Sequence, residues 1–136
     1  MIISRAPVRF SLGGGGTDIP AYYEQFGGFL VAAAIDKYIY VSANKRFYDD
    51  IRLSYSKTEI VPSVDQIQHR IFREALKMTG VTKGIELTSV ADLPANSGLG
   101  SSSAFTVALL NALHTYKRQF VSTEQLAREA CEIEIN

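Results

Sequence analysis

The segment Pro94-Ala95-Asn96-Ser97-Gly98-Leu99-Gly100-Ser101-Ser102-Ser103-Ala104 constrains this chain more than any other. It joins an alternating run, Ile85 to Val90, to a long apolar pattern of helical period that starts near Ser102. Gly98 and Gly100 carry no Cβ, so main-chain N–H groups there are free to face a ligand. The start of the following helix adds N–H groups without intrahelical acceptors and a partial positive charge. Together these make an anion site suited to phosphate. The hydroxyls of Ser101, Ser102 and Ser103 suit phosphate oxygens or the shell of a magnesium ion, which prefers hard oxygen ligands and keeps several waters. A P-loop is excluded because no lysine closes the segment. A dinucleotide fingerprint is excluded because three serines, not a third glycine, follow Gly98-Leu99-Gly100. A plain serine-rich turn is the alternative; the flanking strand, Pro94 and the strong helix favour the phosphate loop.

Around this loop the pattern predicts an α+β domain. Ile2 to Leu12 is one or two strands, with Pro7 at an edge or a bend. The run Gly13-Gly14-Gly15-Gly16 ends it and lets the backbone approach something closely. Thr17 or Asp18 then caps a short helix over Ala21 to Phe26, closed by Gly27-Gly28. Phe29 to Ile35 and Tyr38 to Ala43 are strands separated by Asp36-Lys37, and Ile51 to Tyr55 is a third, opened by a turn at Asp49-Asp50. Ser63 and Gln66 have capping-box spacing, so a helix is expected with Val64, Ile67, Ile71, Ala75 and Met78 as its core face and Gly80 as its stop. The helix from about Ser102 to Tyr116 turns Phe105, Leu109, Ala112, Leu113 and Tyr116 to one side. A last helix, capped by Ser122 with Gln125, turns Leu126, Ala130 and Ile133 inward.

Composition narrows the function classes. The 136 residues fit one domain and are 46% hydrophobic, enough for a packed core. The formal net charge is zero, which gives no global pull toward nucleic acid or anionic lipid. Cys131 is the one cysteine, so no internal disulfide forms and a reducing cytoplasm is the expected location; the residue is expected to be a small buried group. His69 and His114 are the two histidines, too few for a His/Cys zinc cluster. The N-terminus lacks the apolar stretch of a secretory signal, and Phe29 to Ile35 is far short of the roughly 20 residues of a membrane span.

The loop resembles the second motif of the GHMP kinases (galactokinase, homoserine kinase, mevalonate kinase, phosphomevalonate kinase), Pro-x-x-x-Gly-Leu-x-Ser-Ser-x-Ala. The family's first motif begins Ala-Pro-Gly-Arg/Lys near the N-terminus; Ala6-Pro7-Val8-Arg9 stands in that place here, followed by Thr17-Asp18. Within the family, Arg5 to Asp18 is most similar to the D-glycero-D-manno-heptose 7-phosphate kinases, with the fucokinases second. Galactokinases carry a Glu-His pair at the positions of Gly15 and Gly16, which argues here for a different ligand. The resemblance implies a ribosomal protein S5 domain 2-like two-layer sandwich. Residues 1–136 are then the ATP-binding N-terminal domain of a longer kinase, since the chain stops inside a helical pattern.

The implied activity is ATP-dependent phosphorylation of a sugar or sugar phosphate, with the anomeric C1 hydroxyl of D-glycero-D-manno-heptose 7-phosphate as acceptor. The alternatives are a fucokinase- or galactokinase-like enzyme, an isoprenoid or amino-acid kinase that the Gly13–Gly16 run disfavours, and a non-catalytic S5-like binding domain. The resemblance assigns Pro94, Asn96, Ser97, Gly98, Leu99, Gly100, Ser101, Ser102 and Ser103 to the nucleotide, and Ser102 with Glu134 to Mg2+. Glu132 is the alternative carboxylate. Arg9 takes the catalytic place facing the reacting hydroxyl or transferred phosphoryl group, with a surface ion pair as its alternative. Gly15, Gly16, Thr17 and Asp18 take the substrate. Arg46 and Arg52 read as an exposed strand face and stay outside the site. No nucleic-acid or membrane partner is expected. The family's catalytic aspartate and third motif are expected beyond Asn136, so the 136-residue chain alone is expected to show little or no turnover.

Overall fold

A computed structural model describes residues 1–94 and 97–135. Five strands form one sheet: β1 (Ile2–Gly13), β2 (Val31–Lys45), β3 (Ile51–Ser54), β4 (Thr58–Val61) and β5 (Ile85–Ala91). The helices are α1 (Pro20–Phe26), α2 (Arg70–Thr79), α3 (Ser101–Tyr116) and α4 (Thr123–Ile135), with a short 3-10 turn at Val64–Gln66. The sheet order is β1-β2-β5-β3-β4, antiparallel except for the β3/β5 pair. A parallel pair needs a crossover, and the segment carrying α2 supplies it.

Alternation sets the buried face. Ser4, Ala6 and Val8 on β1, Ile39, Val41 and Ala43 on β2, Ile51 and Leu53 on β3, and Ile85 and Leu87 on β5 all point to one side. The register puts Ala43, Leu87 and Leu53 in one row across the sheet. Ser4, the polar member of this face, accepts a hydrogen bond from Asn111 Nδ2 at 3.0 Å. The helix α3 covers β1 and β2 and is in turn packed by α2 and α4. This explains why Thr106, Ala108, Leu110 and His114 are buried as well as the expected Phe105, Leu109, Ala112 and Leu113: a helix apolar nearly all round is a core helix. At one end Phe105 meets Phe72 and His69 edge-on, and His69 meets Tyr55, so β3 and α2 are tied to the start of α3.

Several expectations are corrected. Asp36-Lys37 does not separate two strands but lies inside the continuous β2. Opposite it, Pro7 pairs with Tyr38 and Arg9 with Ala34, so Val8 alone faces Ile35, Asp36 and Lys37 in a bulge. Pro7 has no N–H to donate, and an edge-strand bulge is where such a residue is tolerated. Ser63 makes no side-chain cap, Ile67 is extended, and α2 begins only at Arg70. Its buried face is Phe72, Ala75, Leu76 and Thr79, while Met78 is exposed and Ile71 half-buried. Gly80 ends it as expected, left-handed at φ 68°. Neither Thr17 nor Asp18 caps α1; its N-cap is Ile19, without a side-chain bond, and Pro20 opens the helix. Thr58–Val61, for which the pattern predicts no element, forms β4, and Cys131 is exposed rather than buried. No helix among the described residues is long and apolar enough to cross a membrane.

Candidate functional site

Two distant segments meet at the glycine loop. The main-chain N–H of Arg9 on β1 donates to the carbonyl of Leu99 at 3.0 Å. Gly98 and Gly100 are both left-handed, with φ 74° and 71°. Of the two, only Gly100 has a close neighbour among the described residues: a Cβ there would lie 3.0 Å from Cζ of Arg9 and 3.1 Å from its Nη1. The guanidinium of Arg9 thus rests on the bare face of Gly100. Gly100 is also the N-cap of α3 and offers no side-chain bond to it, so the N–H groups of the first turn have no intrahelical acceptor. A guanidinium and a helix start therefore share one loop, both favourable to an anion.

The serines face a carboxylate from the other end of the sequence. Glu134 on α4 takes hydrogen bonds from Ser103 Oγ at 3.2 Å and Ser102 Oγ at 3.5 Å, and from Thr106 Oγ1 at 2.9 Å. Glu132 turns instead to the groove between α2 and α4, with Arg70, Arg73 and Lys77. Between Glu134 and the start of α2 lies a cavity of about 360 Å³ lined by Ser102, Glu134, His69, Arg70 and Ile71. Burial holds the His69 imidazole below its ordinary range, against the pull of Glu59. The oxygens gathered here, hydroxyls and one carboxylate, are the donors that magnesium takes. Among the described residues no three His, Cys, Asp or Glu side chains converge elsewhere as a metal cage.

The glycine run builds a second region. Thr17 Oγ1 lies 2.7 Å from the carbonyl of Gly14 and 2.9 Å from that of Phe29, and accepts the Phe29 N–H at 3.2 Å. The Gly16 N–H donates to Asp18 Oδ1 at 3.1 Å. The close approach expected of the glycines falls at Gly14, where a Cβ would sit 2.0 Å from the Phe29 carbonyl oxygen, whereas Gly15 and Gly16 have open space. Thr17 and Asp18 line a cavity of about 430 Å³ with Tyr23, Gly28, Phe29 and Leu30.

The structure thus brings Arg9 to Leu99 and Gly100, and Ser102 and Ser103 to Glu134, while Gly16, Thr17 and Asp18 form their own turn. Pro94 is exposed at the loop's entry. Ser101 is half-buried in the first turn of α3. The Ser97 hydroxyl is buried without a partner among the described residues. Asn96 lies outside the described residues. Arg46 is paired with Asp50 and Glu86, and Arg52 with Glu86 at 3.6 Å, so both are engaged in ion pairs. Sequence reasoning missed Thr106 and Arg70. The spacing of Thr106 from Ser102, one helical turn on the same face, was the available signal for the first.

The family pattern for the N-terminal domain of GHMP kinases matches residues 64–136, more than half of the chain. The chain belongs to the GHMP kinases. As a GHMP kinase domain it is 28% identical over 145 residues to the D-glycero-alpha-D-manno-heptose 7-phosphate kinase of Campylobacter jejuni, covering 98% of this chain and 43% of that protein. It is 29% identical to the L-fucokinase/L-fucose-1-P guanylyltransferase of Bacteroides fragilis, over 85% of this chain and 16% of that one. Among solved structures, a D-glycero-D-manno-heptose 1-phosphate kinase from Bacteroides thetaiotaomicron superposes with a TM-score of 0.87 at 26% identity, over 98% of this chain and 48% of that one. This GHMP kinase domain therefore spans less than half the length of these relatives. The α+β two-layer architecture expected from the sequence is that of the GHMP kinase fold.

Proposed function

We propose that this domain is the nucleotide-binding part of an ATP-dependent sugar kinase whose acceptor is a heptose phosphate. The observation that carries the reading is the joining of three things at one loop: the Arg9 guanidinium on Gly100, the open start of α3, and Ser102 and Ser103 facing Glu134. In phosphoryl transfer the acceptor oxygen forms a bond to the γ-phosphorus, the bond to the β-phosphate oxygen breaks, and the hydroxyl proton leaves to a base. Catalysis rests on positioning and charge stabilisation. The loop N–H groups of Gly98 to Ser103 hold the phosphates, and Arg9 faces the transferred group. Ser102 and Glu134 hold Mg2+, which when bound offsets charge on the phosphate oxygens. Thr17 and Asp18 offer acceptors to sugar hydroxyls at the second cavity, with Gly15 and Gly16 leaving it room. The likeness to heptose phosphate kinases in both sequence and structure supports C1 of D-glycero-D-manno-heptose 7-phosphate as the acceptor hydroxyl. The base and the rest of the sugar site are proposed to lie in the remainder of a longer protein, as the length of the relatives suggests.

The test is nucleotide binding by the purified protein. Mg·ATP at about 100 times its Kd stabilises the fold by about 2.7 kcal/mol, readable as a rise in Tm. Ser102→Leu removes this rise while the protein stays folded. A protein that folds and shows no Mg·ATP effect is the non-catalytic binding domain instead. A panel of heptose 7-phosphate, fucose and galactose with the full-length protein chooses the acceptor. Fucose is kept as a second reading because of the likeness to the bifunctional fucokinase.

A further inference from the structure

Thr106 carries no role in the proposed nucleotide or metal site, yet its side chain is buried beside Ser102 and Glu134. It is 0% exposed, one turn beyond Ser102 on α3. Its Oγ1 lies 3.0 Å from the Ser102 carbonyl and 2.9 Å from Glu134 Oε1. A helical threonine ordinarily spends its hydroxyl on the carbonyl one turn back. Here the single hydroxyl proton has a second, ionised acceptor, and a charge-assisted bond is the stronger of the two.

The other two hydroxyls on Glu134 differ in kind. Ser102 and Ser103 are exposed and lie at 3.5 and 3.2 Å, so they exchange readily with solvent or with a ligand. The Thr106 bond is shorter and its hydroxyl is closed to water. The backbone of the same turn of α4 is held separately: Arg70 Nη2 donates to the carbonyl of Ile133 at 2.5 Å and to that of Glu134 at 3.3 Å. With the main chain fixed by Arg70, what remains free is the rotamer of the Glu134 side chain, and Thr106 is the group placed to fix it.

We infer that Thr106 is a positioning residue that aims the Glu134 carboxylate at the metal side of the phosphate loop. It acts through Glu134 and touches neither nucleotide nor metal. The inference rests on the reading of Glu134 as the metal carboxylate. Partners that orient a metal ligand from behind are worth about 10- to 100-fold in metal affinity. The lower figure applies here, because Ser103 still reaches Glu134.

The test is Mn2+ binding to the full-length protein in the presence of the non-hydrolysable nucleotide AMP-PNP, followed by electron paramagnetic resonance, with no turnover required. Thr106→Val keeps the shape and removes the hydroxyl; it is expected to weaken Mn2+ binding about tenfold with little change in Tm, since Arg70 still holds the backbone. Thr106→Ser restores the hydroxyl and is expected to restore the affinity. Glu134→Gln is expected to weaken Mn2+ binding at least as much, and adding Thr106→Val to it is expected to change nothing further. Wild-type affinity in Thr106→Val overturns the inference, as does an equal loss in Thr106→Ser, which would assign the effect to the methyl group. If Thr106→Val does not fold, Thr106→Ala serves in the same comparisons. Unchanged Mn2+ affinity in Glu134→Gln refutes the metal reading and the inference with it. A loss in Glu134→Gln but not in Thr106→Val refutes the inference alone.

Discussion

Gly98 and Gly100 have nearly the same backbone angle and different neighbours, and that difference separates their roles. A side chain at either is held in the left-handed region, which costs about 1–2 kcal/mol for an L-residue. Among the described residues nothing lies close above Gly98, whereas above Gly100 lies the Arg9 guanidinium at 3.0 Å. A long arginine yields easily, so Gly100→Ala is expected to cost about as much stability as Gly98→Ala while also displacing Arg9 from the loop. Chemical denaturation is expected to rank the two alike, and ATP calorimetry to show the larger loss for Gly100→Ala. In an Arg9→Ala background the two substitutions become equivalent; a persisting gap in affinity refutes the contact as its cause. Single residues were legible in the sequence where chemistry is local, as with the loop glycines and serines. Glu134 lies 32 residues from Ser102, and only the family likeness linked them. Cys131 departs from the average burial of cysteine because it stands off the face of α4 that buries Leu126, Ala130 and Ile133.

The start of α2 shows the same limit at the scale of an element. The Ser122/Gln125 signal is made within one turn, and Ser122 Oγ does accept the Gln125 N–H at 3.1 Å. The Ser63/Gln66 signal has the same spacing and fails: Ile67 is extended, and Glu59 holds the two residues that lead into α2. Glu59 on β4 accepts the main-chain N–H groups of Gln68 at 2.8 Å and His69 at 3.2 Å, and the Tyr55 hydroxyl at 2.6 Å. Thr58, Ile60 and Val61 on β4 are β-branched, but four residues are too few to show an alternating period. Desolvation alone would raise the Glu59 carboxyl, but these three bonds hold it below its ordinary range. The same contact pushes the Tyr55 hydroxyl up to about 12. Glu59→Ala removes the anchor and is expected to cost about 0.5–2 kcal/mol, the range for a lost helix cap. The depressed pKa fixes the sign of the pH dependence: the unfolded chain binds the proton first, so the contribution is complete above the ordinary glutamate range and is lost as pH falls through the folded value. Denaturation of Glu59→Gln against pH is expected to lack that part of the acid loss seen in the wild type. Parallel acid limbs would show that Glu59 is not its source.

At the scale of the molecule, α3 is both the centre of the core and the floor of the site. Its period and its glycine-rich start were plain in the sequence. The order β1-β2-β5-β3-β4 was not, because pairing β5 between β2 and β3 depends on contacts that no local pattern records. The consequence is that the loop is mounted on the best-packed element present. Leu109 is fully buried midway along α3, about two turns from Ser102. Leu109→Ala is expected to cost about 2–5 kcal/mol, the range for a core leucine with a residual cavity. If α3 moves as one rigid body with the sheet, that loss falls on global unfolding and leaves the geometry at Ser102 and Glu134 in place. The folded fraction is then expected to bind Mg·ATP with wild-type affinity, and unfolding followed by far-UV circular dichroism and by amide exchange at Ser102 and Ser103 is expected to give one midpoint. A separate, earlier loss of protection at the serines would mean that the first turn of α3 opens independently of the core. The loop would then owe its shape to Arg9 and Glu134 rather than to the helix beneath it.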